Sequence, residues 1–480
     1  MSESVDPLDY DPANGVGGGG ITTDAIEKVQ SRRHEEDEKE LPYEESLTWP
    51  QRFKEYILVA PKFAKAYITV FVIFMGLLSL YWGSMYRRFD RYKNMDYLVI
   101  SQDESFQFEG QLINPSVNDA FMEMLNNEPI SNLGKYHVRN ITEFKELAIK
   151  HNNTVLEEVI RQVHHQKYWA GVYIAPNTTY NLYSSFHQGI PFVKVNESVS
   201  LIYETGRHYS GLSQYIFRNM DAMNEEWVRF YVSDVYQTIL SSLNSTEKQN
   251  LASNISILTT YPTFNFMDQR PASTPASLGP SELGLVYALL FSFHQFNFSL
   301  EIYSFMRKRI KYRSYLFYRF LASQINALVL ALVYALVTIA FQVPTNVTFG
   351  HSGFVVLWMF IFLYMSSMGT INENVVSVLF AFDKKTLIAP WMIFMIVTNI
   401  SVTFAPFVLS PGFYKYGYAS PMYNTYEALK VVFYNTWKGH LGRNLGILVC
   451  WIVVGNISLI FVSNWATNKA KRLAKKQKTG

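Results

Sequence analysis

The chain has 480 residues, 49% of them hydrophobic and 16% aromatic, with 17% charged and a formal net charge of +3. That composition excludes a disordered chain, a collagen-like repeat and a strongly basic nucleic-acid binder, and one cysteine excludes an internal disulfide framework and a Cys-based zinc cluster. The mean hydropathy of +0.01 does not separate a soluble enzyme from a membrane protein. The positions of the apolar residues do.

Residues 1–50 carry thirteen Asp/Glu against four Lys/Arg, a net of −9. The Gly-rich stretch 14–20 and the charged run 32–45 bury too little apolar surface to offset their ordering entropy. Residues 1–65 are therefore expected to be a disordered acidic cytoplasmic tail. No apolar segment near Met1 resembles a signal peptide.

The run 66–82 is uncharged and has the length of a bilayer crossing, so residues 66–86 are expected to form a first transmembrane helix. Further apolar runs lie near 283–305, 318–341, 354–368, 387–409 and 445–461. The expected fold is thus a polytopic α-helical membrane protein with six transmembrane helices, one plus five. A large extracellular α/β domain, residues 87–282, is inserted between helices 1 and 2. Residues 283–463 form the five-helix membrane domain, and 464–480 a basic cytoplasmic tail.

Within 87–282, residues 97–101, 168–174 and 198–203 read as strands. Residues 115–125, 141–166 and 211–243 read as helices. Asn-x-Ser/Thr sequons at Asn140, Asn152, Asn177, Asn196, Asn244 and Asn254 point to a glycosylated, non-cytoplasmic domain. Arg307-Lys308-Arg309 with Lys311 and Arg313, and the C-terminal lysines, have no acid beside them and belong on the cytoplasmic side. Six crossings then put both termini inside. Arg87, Arg88, Arg91 and Lys93 oppose this; they are read as snorkelling to headgroups or as starting the outer domain.

The layout resembles the membrane domains of type-2 ABC exporters. In the outer domain, Tyr168-Trp169-Ala170-Gly171 through Pro176 resembles the strand of those exporter-like families. Leu283-Gly284-Leu285-Val286-Tyr287, Gly350-His351-Ser352-Gly353-Phe354, Trp358-Met359, Gly369 with Asn372-Glu373-Asn374, and Ser420-Pro421-Met422-Tyr423 carry a closer likeness. On them the chain resembles the fungal nitrosoguanidine-resistance family, built around a domain of unknown function. The resemblance implies a multi-pass fungal plasma-membrane protein linked to drug and mutagen resistance and to membrane lipid organisation. It implies no catalytic residue.

No G-x-x-x-x-G-K-[ST] loop, nucleophile elbow or H-E-x-x-H is present. The expectation is a protein that is not an enzyme, has no cofactor and no metal, and binds no nucleic acid. Its expected partners are membrane lipids and either a second copy or a separate flippase, permease or ATPase. It is read as exporter-like without its own ATPase, or as a non-transporting regulator or adaptor of lipid asymmetry and stress response.

His294, Asn297 and Glu301 share a helix face that is expected to point into the bundle. They either line a headgroup or proton path or serve as helix glue, with Glu301 pairing to Arg307 or Arg309; glue is the preferred reading. Asn372, Glu373 and Asn374 either form a gate or a docking point for a partner or are a solvated cap at the inner end of the fourth helix; the solvated cap is the preferred reading. Tyr426, Leu429, Phe433 and Trp437 form one stripe of an expected interfacial helix near 423–438. His164-His165 is not read as a metal pair, because adjacent helical residues diverge by about 100°.

Overall fold

The computed structural model describes residues 48–192, 197–259 and 263–479, without the side chains of Thr259, Asn297, Ala470, Lys471 and residues 473–479. The expected disorder of residues 1–47 and the Asn196 sequon lie outside the described residues. The chain divides into two compact units, one of residues up to Val70 with Phe298–Arg319, the other of Phe71–Asn297 with Phe320–Gly480.

Among the described residues, six helices are long and apolar enough to cross a membrane: Trp49–Met85, Pro275–Arg309, Tyr312–Ala340, Asn346–Ala381, Lys385–Thr403 and Lys438–Lys469. Each contains one of the apolar runs or most of it. The first begins well before residue 66, so residues 49–65 are helix (α1, Trp49–Met85) rather than tail. The last helix runs Leu441–Thr479, so the basic segment from 464 continues it. A helix extends past its apolar stretch because Lys, Arg and Glu are good helix formers.

In the first unit, the basic turn is organised by aromatic rings. The Arg309 guanidinium lies 3.9 Å from the Phe305 ring centre, and that of Arg319 lies 5.6 Å from Tyr303.

The second unit holds the α/β domain. Its strands are β1 Asp96–Ser101, the small hairpin β2 Phe106–Phe108 and β3 Gln111–Ile113, β4 Lys135–Val138, β5 Ala170–Ile174, β6 Val199–Tyr203 and β7 Asn265–Asp268. Five of these form one sheet in the order β4-β1-β5-β6-β7. Only the β5–β6 pair is antiparallel. The row Val138, Val99, Val172, Leu201, Phe266 crosses it. β1, β5 and β6 are buried along most of their length, which explains their unbroken apolar runs.

Helices α2 (Ser116–Asn126), α5 (Thr178–Gln188) and α6 (Phe217–Phe230) cover one face, where Val99, Val172 and Leu201 meet Phe121, Phe186 and Trp227. Helices α3 (Ile141–Lys150) and α4 (Val155–His164) cover the other, packing Phe144, Val159 and Val163 on Leu98, Ile100 and Ile202. Gly171 permits this approach, since a Cβ there would lie 2.5 Å from Val159. The expected single helix 141–166 is broken in two. Asn152 takes a left-handed φ of 56°, and Thr154 starts α4 in a capping box with Glu157. Helix α7 (Ser245–Ser253) starts the same way, from Asn244 and Glu247.

Of the other helices, those longer than ten residues are α8 Gly284–Arg309, α9 Tyr312–Ala340, α10 Gly353–Ala381, α11 Ile388–Thr403, α12 Pro421–Tyr434 and α13 Leu441–Thr479. The arginines after α1, expected on the outer side, make contacts where the chain enters the α/β domain. Arg87 pairs with Asp90, and Arg88 donates to Ser84 O at 3.1 Å and to Tyr215 Oη at 2.6 Å.

Candidate functional site at the domain junction

Helix α12 joins the α/β domain to the membrane helices. It was expected to lie in the interface with one polar face. Instead protein covers it on nearly every side: Tyr426, Leu429 and Phe433 are buried, and so are Asn424, Thr425, Ala428 and Lys430. Asn435 ends it in a left-handed conformation, so Trp437 lies beyond the helix rather than on its stripe. The local sequence showed one apolar stripe; tertiary packing covers the other face as well.

The polar groups on that second face make a buried charged network. Lys430 Nζ donates to Arg207 O at 2.6 Å and pairs with Glu427 Oε1 at 2.6 Å. Glu282 belongs to a π-helical turn, Gly279–Leu283, leading into α8. Its Oε1 accepts from Tyr426 Oη at 2.9 Å and from Ser210 N at 3.1 Å, while Ser210 Oγ donates to Oε2. The Arg207 guanidinium stacks 3.7 Å over the Trp169 ring and donates to the carbonyls of Gln166 and Tyr168. His164 Nδ1 lies 2.7 Å from Oε1 of the buried Glu204. Arg270 Nε donates to Asn435 O at 3.0 Å, a further tie between the α/β domain and the end of α12.

Burial sets the ionisation here. It lowers the Lys430 ammonium, against the opposing pull of Glu427, and lowers Arg207 to about 10. Arg207 therefore remains charged at neutral pH, and Lys430 has Glu427 as its counter-charge. Burial, reinforced by Lys430, pushes His208 well down, so this imidazole is neutral. Its Nδ1 accepts from Gly211 N at 3.1 Å, and its ring meets Tyr426 edge-on at 5.2 Å. Local pattern does not reveal Lys430, Glu282 and Arg207, because the contacts that define them reach across the chain: 223 residues from Lys430 to the Arg207 carbonyl, 144 from Tyr426 and 72 from Ser210 to Glu282, and 39 to 41 from Arg207 to Tyr168 and Gln166. The signal in the sequence is Glu282 itself, a carboxylate placed directly before the apolar run 283–305.

The expected intramembrane face on α8 is rotated. His294 and Glu301 are exposed, the Asn297 side chain lies outside the described residues, and the buried polar side chains are Ser292, Gln295 and Ser299. Gln295 Nε2 donates to Ser323 O at 2.9 Å. Two faces of this helix carry polar residues, and pattern alone does not say which one the bundle covers.

Asn372, Glu373 and Asn374 do not cap a solvated end. α10 continues past them to Ala381, with Asn372 and Glu373 buried. Trp391 Nε1 donates to Asn372 Oδ1 at 3.1 Å, Asn374 Nδ2 donates to Gly455 O at 2.8 Å, and Ser458 Oγ donates to Asn374 Oδ1 at 3.0 Å. These bonds fasten α10 to α11 and α13.

His164 and His165 turn apart, one to Glu204 and the other to Trp437. Of the sequons, Asn140, Asn152, Asn177 and Asn244 are exposed. Asn254 is half-buried, and its amide donates to Gly189 O at 3.3 Å.

An α/β domain fastened through α12 to helices of membrane-spanning length defines a polytopic membrane protein. The chain belongs to the family described as "Protein of unknown function (DUF3533)", which matches residues 66–457. It is similar to an uncharacterized endoplasmic reticulum membrane protein of Saccharomyces cerevisiae, 27% identical over 463 residues, covering 95% of this chain and 89% of the relative. No solved structure matches.

Proposed function

We propose that the protein is exporter-like: it handles amphipathic molecules, lipids or lipophilic drugs, within its membrane and has no ATPase of its own. The observation that carries this reading is the charged junction around Lys430 and Glu282. Breaking it would leave charges buried and unpaired, a cost of about 3–5 kcal/mol, so rearrangement of the α/β domain and of the span that carries Glu282 near its start is coupled. In this reading the α/β domain faces the exterior or the secretory lumen and both termini are cytoplasmic. The exposed sequons and the basic turn Arg307–Arg313 support that placement. The yeast relative is named as an endoplasmic reticulum protein, while the family resemblance implies the plasma membrane. Both membranes present the same topological face to the domain. The resemblance also carries the proposed link to drug resistance and lipid organisation.

The test is purified full-length chain in liposomes containing fluorescent phospholipid. The expected result is faster redistribution between leaflets than in protein-free vesicles, slowed by Lys430→Met. No redistribution, with and without candidate ATPases, sinks the reading. Glycosidase treatment of the native protein is expected to increase gel mobility; unchanged mobility counts against a modified outer domain.

The missing nucleotide-cradling loop favours a second reading, a non-transporting regulator or adaptor. A stable complex with a flippase, permease or kinase that is lost on deleting residues 1–50 would select it.

A further inference from the structure

Trp437 occupies a place the coupling network does not use. The imidazole of His165, at the end of α4, stacks on its indole with ring centres 5.5 Å apart and planes 18° apart. His440 meets the same indole edge-on at 4.7 Å. The ring lies over Gly439, where any Cβ would collide with it. An aromatic platform is thus held between the α/β domain and the start of the sixth candidate span, Lys438–Lys469.

The groups around this platform are cationic. Lys438 is exposed, with its ammonium 5.3 Å from the Phe349 ring. Arg443 follows in the first turn of α13, exposed, with its guanidinium 5.8 Å from Tyr418. Lys430 also acts on His440 from the buried side. On the α/β side, Arg161, His164 and Lys167 face His165. Two acids face the imidazoles, and both are occupied. Glu158 is fully buried and takes hydrogen bonds from Asn153, Gln162 and Arg161, with His151 Nδ1 3.0 Å away; Glu427 pairs with Lys430. Among the described residues, Lys167, Lys438 and Arg443 make no ion pair.

Exposed positive charge at this end of a span needs explaining. Lys and Arg collect on cytoplasmic loops, yet this is the end of the bundle that carries the α/β domain. Trp at a span terminus is suited to the headgroup level, where its ring is apolar and its N–H is wet.

We propose that Lys438, Arg443, His165 and His440 around Trp437 form a binding site for the phosphate of an anionic phospholipid in the leaflet beside the α/β domain. The phosphate accepts from the Lys438 ammonium and the Arg443 guanidinium, and the acyl chains lie along the apolar surface of α13. Lipid rather than free phosphate is the occupant, because the cations sit at the mouth of a span whose outward residues, Val449, Val453 and Val454, are exposed and apolar. This inference rests on the lipid-handling reading and names the lipid class involved.

Protonation adds to the site. Burial lowers the His165 pKa, and Arg161, His164 and Lys167 lower it further. A bound phosphate opposes that shift, so binding takes up a proton. Affinity should therefore rise as pH falls below the ordinary histidine value of about 6.5.

The experiment uses the full chain in detergent micelles with dioctanoyl phosphatidylglycerol, whose phosphodiester keeps one charge across the histidine range, dioctanoyl phosphatidylcholine and inorganic phosphate as probes. Phosphatidylglycerol is expected to bind at least about tenfold more tightly than phosphatidylcholine, given the surface worth of two cations. Inorganic phosphate at millimolar concentration should not displace it. The double variant Lys438→Gln/Arg443→Gln should lose that preference while melting at the wild-type temperature. His165→Gln should keep binding at neutral pH and flatten its acid dependence. Equal binding of the two lipids, or full preference in a folded double variant, overturns the proposal. Displacement by inorganic phosphate overturns the lipid assignment. The outcomes separate from the liposome assay: binding without redistribution fails the transport reading alone, and redistribution without selective binding fails only this site.

Discussion

The core of the α/β domain and the junction beneath it are both shielded from water, and they hold together by opposite means. In the core, Trp227, Phe121, Phe186 and Tyr231 fill space between helices and sheet. Their stabilisation is spread over many small contacts. At the junction, Lys430, Glu427, Glu282 and Arg207 meet a few specific atoms at 2.6 to 3.1 Å. Apolar packing tolerates a repacked neighbour. A buried charge tolerates no missing partner, yet the whole set could be exchanged for apolar residues at small cost. The junction therefore specifies one docking geometry, and the core supplies bulk stability.

The largest effects should fall on both regions and then part company. Trp227→Ala is expected to cost about 3–5 kcal/mol, and Lys430→Met a similar amount by stranding Glu427 and the Arg207 carbonyl. Denaturant unfolding in detergent measures both. The pair Lys430→Met/Glu427→Leu should recover most of the loss, while no charge change rescues Trp227→Ala. Absence of recovery would mean the junction is held by packing as the core is.

Overpacking tests the core alone. Gly171→Val should cost about 1–3 kcal/mol by pushing α4 off β5, with limited proteolysis opening that face first.

A charge buried inside the α/β domain gives a smaller, pH-dependent effect. Burial raises the Glu158 carboxyl, but hydrogen bonds from Gln162 and Asn153, with His151 and Arg161, outweigh it and hold the pKa below the ordinary value. A lowered carboxylate contributes stability above about pH 4.3, and that contribution is lost as pH falls through the folded value. Glu158→Gln should therefore flatten the acid limb of a melting-temperature profile. At the bottom of the scale, Thr154→Ala should cost about 1 kcal/mol by losing the α4 cap.

Much of the fold was legible in local pattern. All six apolar runs lie largely within long helices, and β1, β5 and β6 coincide with the three apolar stretches read as strands. β4 and β7 were missed. They are edge strands, so Lys135-Tyr136-His137-Val138 and Asn265-Phe266-Met267-Asp268 carry polar residues and no continuous apolar run. The break between α3 and α4 was present as Thr154 and Glu157 at capping-box spacing, hidden within a helical periodicity that continues across it.

The site was far less legible. Tyr426 shows in the sequence only as part of an apolar stripe; its hydroxyl meets Glu282 across 144 residues of chain. The spacing of His294 and Glu301 makes a face, yet Gln295, one residue beyond His294, is the side chain the bundle covers.

The sequence by itself determined where the chain can enter a bilayer, because crossing requires a contiguous apolar length that composition displays directly. It also determined the central strands and several helix starts, which depend on neighbours in the chain. Only the tertiary structure decided that α12 is covered on nearly all sides, that Lys430 and Glu282 are buried at the junction, and that His165 meets Trp437. Those outcomes depend on which surfaces distant elements bring together, and a residue's own neighbourhood in sequence carries no record of that.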